Sequence, residues 1–185
     1  MTDSRSSGVH TRRHFIHSLA CGAAALAFTR PSLAGYAQRS VAFVHTHTGE
    51  VLNATYFRNG LYQPSALARV AFVLRDFRSG DVHQIDPLLL DALFELQILH
   101  RHDKPYEVIS GYRSPATNAK LRSNSTGVAK HSLHMQGQAI DIRVPGVSTK
   151  KLRDLAISLG RGGVGYYPGS AFVHVDTGRL RTWQG

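Results

Sequence analysis

The chain's single cysteine, Cys21, lies in an alanine-rich apolar stretch near the N-terminus, Leu19 to Phe28. This stretch follows Thr11-Arg12-Arg13-His14-Phe15-Ile16-His17 and precedes Ser32-Leu33-Ala34. The order of paired arginines, apolar run and small residues reads as a twin-arginine signal peptide over residues 1–34, with cleavage after Ala34 or, alternatively, after Ala37. Ser18-Leu19-Ala20 lacks the leucine expected three positions before a lipid-anchored cysteine, so the reading is of an exported, unanchored periplasmic protein. The body, residues 35–185, then has no cysteine. It must hold together by core packing without disulfides, and any metal must be held by His, Asp or Glu.

Setting aside residues 1–34 removes Arg5, Arg12, Arg13, Arg30 and Asp3 and leaves 18 basic against 11 acidic residues on 151 positions, a net charge of +7. That length is one domain's worth of chain. No apolar run approaches the roughly 20 residues of a membrane span, so stable membrane insertion after signal cleavage is not expected. A basic surface favours an anionic partner, whether nucleic acid, anionic lipid or a carboxylate-rich wall polymer. Export and the lack of a recognition motif argue against nucleic acid.

Val41–Thr46 and Val51–Phe57 alternate around Thr48-Gly49 and predict a hairpin. Pro64 opens a helix to about Phe77, and Asp86-Pro87 caps and starts another reaching His100, with Leu89, Leu93, Leu96 and Leu99 on its apolar face. Tyr106–Ser110 predicts a strand; Gly111–Lys130 is polar, turn-rich and long enough to suggest a functional loop. A strand over Gln138–Arg143, a helix over Thr149–Leu159 between Ser148 and Gly160, and strands at Gly163–Tyr166 and Ala171–Thr177 complete the reading. This order predicts a small α+β domain with a mostly antiparallel sheet flanked by helices.

Chemistry concentrates in the second half. In Ser132-Leu133-His134-Met135-Gln136-Gly137-Gln138-Ala139-Ile140-Asp141 a histidine and an aspartate flank a glycine that permits a sharp reversal. His174 and Asp176, two apart, share one face of a strand. Two imidazoles and a carboxylate make a three-ligand site with a fourth position open to water, the pattern of catalytic zinc. With 11 histidines in the chain, chance pairings are common, and the spacing alone leaves His134 and His174 equally open to ordinary structural roles.

Ser110-Gly111-Tyr112-Arg113-Ser114, the Ser-x-His-x-x-Gly-x-Ala-x-Asp run from Ser132 to Asp141, Gly163-Val164-Gly165-Tyr166-Tyr167 and His174-x-Asp176 together resemble the LAS-type zinc D,D-peptidase superfamily. This superfamily includes D-alanyl-D-alanine carboxypeptidases, vancomycin-resistance dipeptidases and exported murein endopeptidases. The resemblance implies a Hedgehog/D,D-peptidase-like fold and one Zn2+ per chain on His134, Asp141 and His174. It also implies that Arg113 faces the scissile carbonyl, the alternative being a surface ion pair.

The dipeptidases carry a glutamate base three residues before the last zinc histidine, where this chain has Ala171. Asp176 is then either a replacement base or a partner fixing an imidazole. His131 is a candidate for proton transfer or for binding a substrate carboxylate, and Ser132 for loop support. Tyr166, Tyr167 and Trp183 are candidates to line a peptide groove or to pack in the core. His45 and His47 read as solvent-facing, and His100 and His102 as favouring a helix C-terminus. The expected function is zinc-dependent hydrolysis of amide bonds in peptidoglycan stem-peptide cross-links. The alternatives are a D,D- or L,D-carboxypeptidase and an inactive zinc-bearing murein-binding module.

Overall fold

A computed structural model describes Met1 and residues 32–185, apart from His102 and Thr126. The signal-peptide reading of residues 2–31 and the role expected of His102 lie outside the described residues. The strands are β1 (Gln38–His45), β2 (Val51–Arg58), β3 (Leu61–Tyr62), β4 (Tyr106–Ser110), β5 (Ala139–Arg143), β6 (Gly163–Tyr167), β7 (Phe172–Asp176) and β8 (Arg181–Gln184). The helices are α1 (Pro64–Val73), α2 (Pro87–His100), α3 (Pro115–Asn124) and α4 (Thr149–Leu159), and Leu133–Gln136 forms a 3-10 turn. One sheet runs β3-β2-β1-β4-β5-β7-β6-β8. It is antiparallel except where β1 meets β4 and β6 meets β8. The protein is thus α+β, as the element order predicts.

Each strand sorts its residues by period two. Val41, Phe43, Ile140, Ile142, Val173 and Val175 enter one continuous core with the buried faces of α1, α2 and α4. Leu89, Leu93 and Leu96 of α2 are fully buried, each contributing about 1.5–3 kcal/mol, whereas Leu99 is only partly covered. The caps work as the sequence suggests: the Asp86 carboxylate accepts from Leu88 N, Ser148 Oγ accepts from Lys151 N, and Gly160 ends α4 in the left-handed region. On α2, Asp91 takes an ion pair from Arg39 and hydroxyl hydrogen bonds from Tyr56 and Tyr62, and Glu95 is gripped by Arg161. Two buried carboxylates are thereby each met by a cation.

Three expectations are corrected. Helix α1 stops at Val73 rather than near Phe77, because the Leu74 carbonyl is taken by Tyr112 N at 2.7 Å and cannot continue the helical ladder. The segment 111–130 is not all loop: Ser114 caps α3, accepting from Thr117 N at 3.3 Å, and Pro115 occupies its first turn. His45 is buried, not solvent-facing; β1 ends there, and the exposed His47 stacks on Phe77 beyond it.

Candidate metal centre

The other face of the sheet carries the polar residues, and its register lines them up. Ser110 pairs with Asp141, Asp141 with His174, His174 with Gly165, and Gly165 with Trp183, giving one row across β4, β5, β7, β6 and β8. Two residues along the strands lies a second row on the same face, in which Ala139 pairs with Asp176 and Gly163 with Arg181. Ser110 joins the first row because a register shift after Val108 leaves Ile109 without a partner on β5. Such an irregularity beside a site re-aims the side chains that follow it.

His134 reaches the row from outside the sheet. The 3-10 turn that carries it ends at Gly137, whose φ of 65° and close approach to the Gln84 carbonyl exclude a side chain. The Gly111 carbonyl accepts from His134 Nδ1 at 2.7 Å, and Arg113 N donates to the His134 carbonyl at 3.2 Å. Donation from Nδ1 fixes the tautomer and leaves the Nε2 lone pair facing the row. Ser132 is buried and supports the turn through its carbonyl, which accepts from Met135 N.

His134 Nε2, His174 Nδ1 and Asp141 Oδ1 converge: the separations are 3.1 Å between the nitrogens, 2.8 Å from His174 to Asp141 and 3.3 Å from His134 to Asp141. Tetrahedral ligands about 2.0–2.1 Å from a common zinc ion stand roughly 3.3 Å apart, so the donor set and its spacing fit a divalent ion. Among the described residues this is the one His/Asp/Glu cluster with such convergence. All three are buried, so an ion held there would be shielded on the protein side.

The electrostatics are those of a preformed cation site. Burial pushes the His134 pKa down. Burial would raise the Asp141 pKa, but the adjacent histidines outweigh it and hold the carboxylate ionised. At His174 burial is likewise overcome, here by hydrogen bonds to Asp141 and Asp176, and the pKa rises. Asp176 is fully buried. Its Oδ1 accepts from Gly163 N and Gly178 N, both at 2.9 Å, and from Arg181 at 3.1 Å; its Oδ2 accepts from Arg181 at 2.6 Å and His174 Nε2 at 3.0 Å. It therefore lies behind His174, on the side of the ring away from the three converging atoms.

The three converging residues border a cavity of about 430 Å³, with Arg113 and His131 on its wall. The Arg113 guanidinium is nearly buried at 11% side-chain exposure, yet its contacts are loose: Ser110 Oγ at 3.4 Å, Asn118 Oδ1 at 3.5 Å and Asp141 at 3.7 Å. Its Nε has no hydrogen-bond partner among the described residues. His131 is exposed at the rim. Tyr167 and Trp183 line the cavity, joined by a 2.9 Å hydrogen bond from Trp183 Nε1 to the Tyr167 hydroxyl, whereas Tyr166 packs against the core. Ala171, at the position of the dipeptidase glutamate, is exposed in the β6–β7 turn with φ of 53°. Nothing in the sequence marks Asn118 or Arg181 as a neighbour of this cluster. Asn118 sits on a helix with no apolar stripe, and Arg181 belongs to a short strand recognisable only by its alternation with Trp183.

Trp183 rests on Gly165: a Cβ there would come within 2.6 Å of the indole. Gly165→Ala is therefore expected to displace the Trp183 indole from its place beside His174, whose ring centre is 5.1 Å away. Because Trp183 is the only tryptophan, its emission spectrum reports the movement directly. We expect a shifted spectrum and about a tenfold lower kcat/KM, equivalent to about 1.4 kcal/mol. An unchanged spectrum would refute the contact.

A His–Asp–His cluster with an open side, set on the polar face of an antiparallel sheet, has the donor set a metallopeptidase requires. Residues 34–183 match the family model described as peptidoglycan L,D-endopeptidase MepK, of peptidase M15 type, and the chain belongs to that family and is an enzyme. It is 47% identical over 137 residues to the peptidoglycan L,D-endopeptidase MepK of Escherichia coli K12, covering 74% of this chain and 75% of that one. It is 44% identical over 148 residues to the probable peptidoglycan L,D-endopeptidase MepK of Haemophilus influenzae, covering 80% of each.

Proposed function

We propose that this protein is an exported, zinc-dependent peptidoglycan endopeptidase that cuts an L,D amide bond in stem-peptide cross-links. The observation that carries the reading is the convergence of His134 Nε2, Asp141 Oδ1 and His174 Nδ1 within 3.3 Å of one another. A zinc ion held by these atoms supplies Lewis acidity, polarising a carbonyl and lowering the pKa of water. Arg113 presents unfilled donors from a desolvated position beside Asp141, suited to the negative charge that grows on the scissile carbonyl oxygen. Asp176 takes the orienting role of the two open to it, since all its acceptor capacity is engaged and its position behind His174 is out of substrate reach. His131, on the accessible rim, is assigned proton transfer or contact with a substrate carboxylate.

The net charge of +7 on residues 35–185 favours approach of carboxylate-bearing stem peptides, an attraction that salt should weaken. No described helix is long and apolar enough to cross a membrane. The arginine pair, the apolar run and a family match beginning at residue 34 support export by the twin-arginine route with residues 1–34 as the signal. The test is digestion of purified muropeptide dimers carrying either L,D or D,D cross-links, with and without a chelator. Monomer release from the L,D dimer, abolished by chelator and restored by zinc, is the expected result. Retention on murein without turnover would instead indicate a binding module.

A further inference from the structure

Arg181 lines the same cavity without touching any of the three converging atoms, and its guanidinium is turned to Asp176, away from an open position on the wall. Its two nitrogens take different carboxylate oxygens, Nη1 on Oδ1 at 3.1 Å and Nη2 on Oδ2 at 2.6 Å, a planar fork against a planar acceptor. The space for that fork comes from Gly163, where a Cβ would stand 2.3 Å from Arg181 Nη1 and 2.6 Å from Asp176 Oδ2. Asp176 in turn accepts from His174 Nε2 at 3.0 Å, so that Nδ1 is the ring nitrogen directed at His134 and Asp141.

We propose that Arg181 is a positioning residue of the metal centre: by clamping both oxygens of Asp176 it fixes the plane of the His174 ring and so tunes the affinity of the site for its ion. The proposal rests on the metal-centre reading above. Among the described residues Asp176 is the one hydrogen-bond partner of His174 Nε2, so a carboxylate left to tilt on Gly163 N and Gly178 N would tilt that edge of the ring with it. Outer partners of a ligating histidine typically change metal affinity by about 10–100-fold. Arg181 is also 31% exposed on its side chain and stacks beside Trp183 at 4.9 Å, so the alternative is that it serves substrate alone.

The experiment measures zinc affinity by competition with a chromophoric chelator for the parent protein, Arg181→Met and Arg181→Lys, with circular dichroism as the check on folding. Stoichiometric binding by the parent tests the metal centre itself; its absence would overturn that reading before Arg181 is considered. With the parent binding, Arg181→Met is expected to weaken zinc affinity by about tenfold, the low end of the range for loss of a ligand's direct partner, because Arg181 acts through Asp176. Arg181→Lys, which keeps the charge but not the fork, is expected to weaken it by at least about threefold. The cobalt(II) form of each variant should show altered visible bands, since these report ligand geometry at the ion. Either folded variant holding zinc with parent affinity, with any defect confined to KM or to resistance to urea, would overturn the proposal. If Arg181→Met does not fold, the lysine variant decides alone.

Discussion

His134→Ala is expected to leave the protein without stoichiometric zinc and to slow cleavage of the L,D muropeptide dimer by at least about a thousandfold. The size follows from losing several kcal/mol of carbonyl and water activation, at about 1.4 kcal/mol per factor of ten. The fold should survive, because His134 sits on a 3-10 turn outside the sheet and the core lies on the opposite face. The Gly111 carbonyl would lose its donor, a cost of about 1–3 kcal/mol, visible as a lower melting temperature. Zinc per chain by atomic absorption and monomer release by chromatography check the two parts separately. Full activity at substoichiometric zinc in this variant would refute the assignment of His134 as a ligand.

Arg113→Met should give the opposite separation, with metal kept and turnover lost. Methionine occupies much of the same space without the charge, and the guanidinium it replaces stands 3.7 Å from Asp141. Removing a cation there relieves repulsion on a bound ion, so zinc affinity should stay equal or rise. The kcat should fall by about 10²–10³, the usual effect of deleting a donor aimed at a developing oxyanion. Loss of zinc from this variant, or kcat within a few-fold of the parent, would remove Arg113 from the reaction.

The two local halves of the candidate site could be read in the sequence because each is a short-range pair, whereas their meeting, across 33 positions from Asp141 to His174, was implied only by the resemblance. His174 and Asp176 share a strand face by their spacing, and Gly137 marks the reversal that brings His134 toward Asp141. The caps at Asp86 and Ser148 were equally legible, since they rest on local hydrogen bonds. What escaped depended on distant pairing. β8 joins β6 in parallel and has only four residues, two of them facing the cavity, too little periodicity to mark a strand. Helix α3 lacked an apolar stripe because only Thr117 and Asn118 are buried on it. The early end of α1 depended on a carbonyl taken by Tyr112, 38 positions after Leu74. The hydrogen bonds that fill the oxygens of Asp176, from Gly163, Gly178 and Arg181, likewise come from positions the spacing of His174 and Asp176 does not reveal, and they support the orienting role proposed for it.

The oxygen that orients His134 belongs to the main chain at Gly111, and a Cβ at that position would press to 2.4 Å on the Leu74 carbonyl. A saturation scan of side chains is consequently blind to this contact. Replacements at position 111 will register as misfolding through the crowded backbone, never as a selective defect in chemistry. A genetic map drawn from such a scan would leave one of the histidine's two anchors off the chart, and even an ester in place of the amide that follows residue 111, which weakens that oxygen as an acceptor, would also remove the Tyr112 N–H that donates to the Leu74 carbonyl.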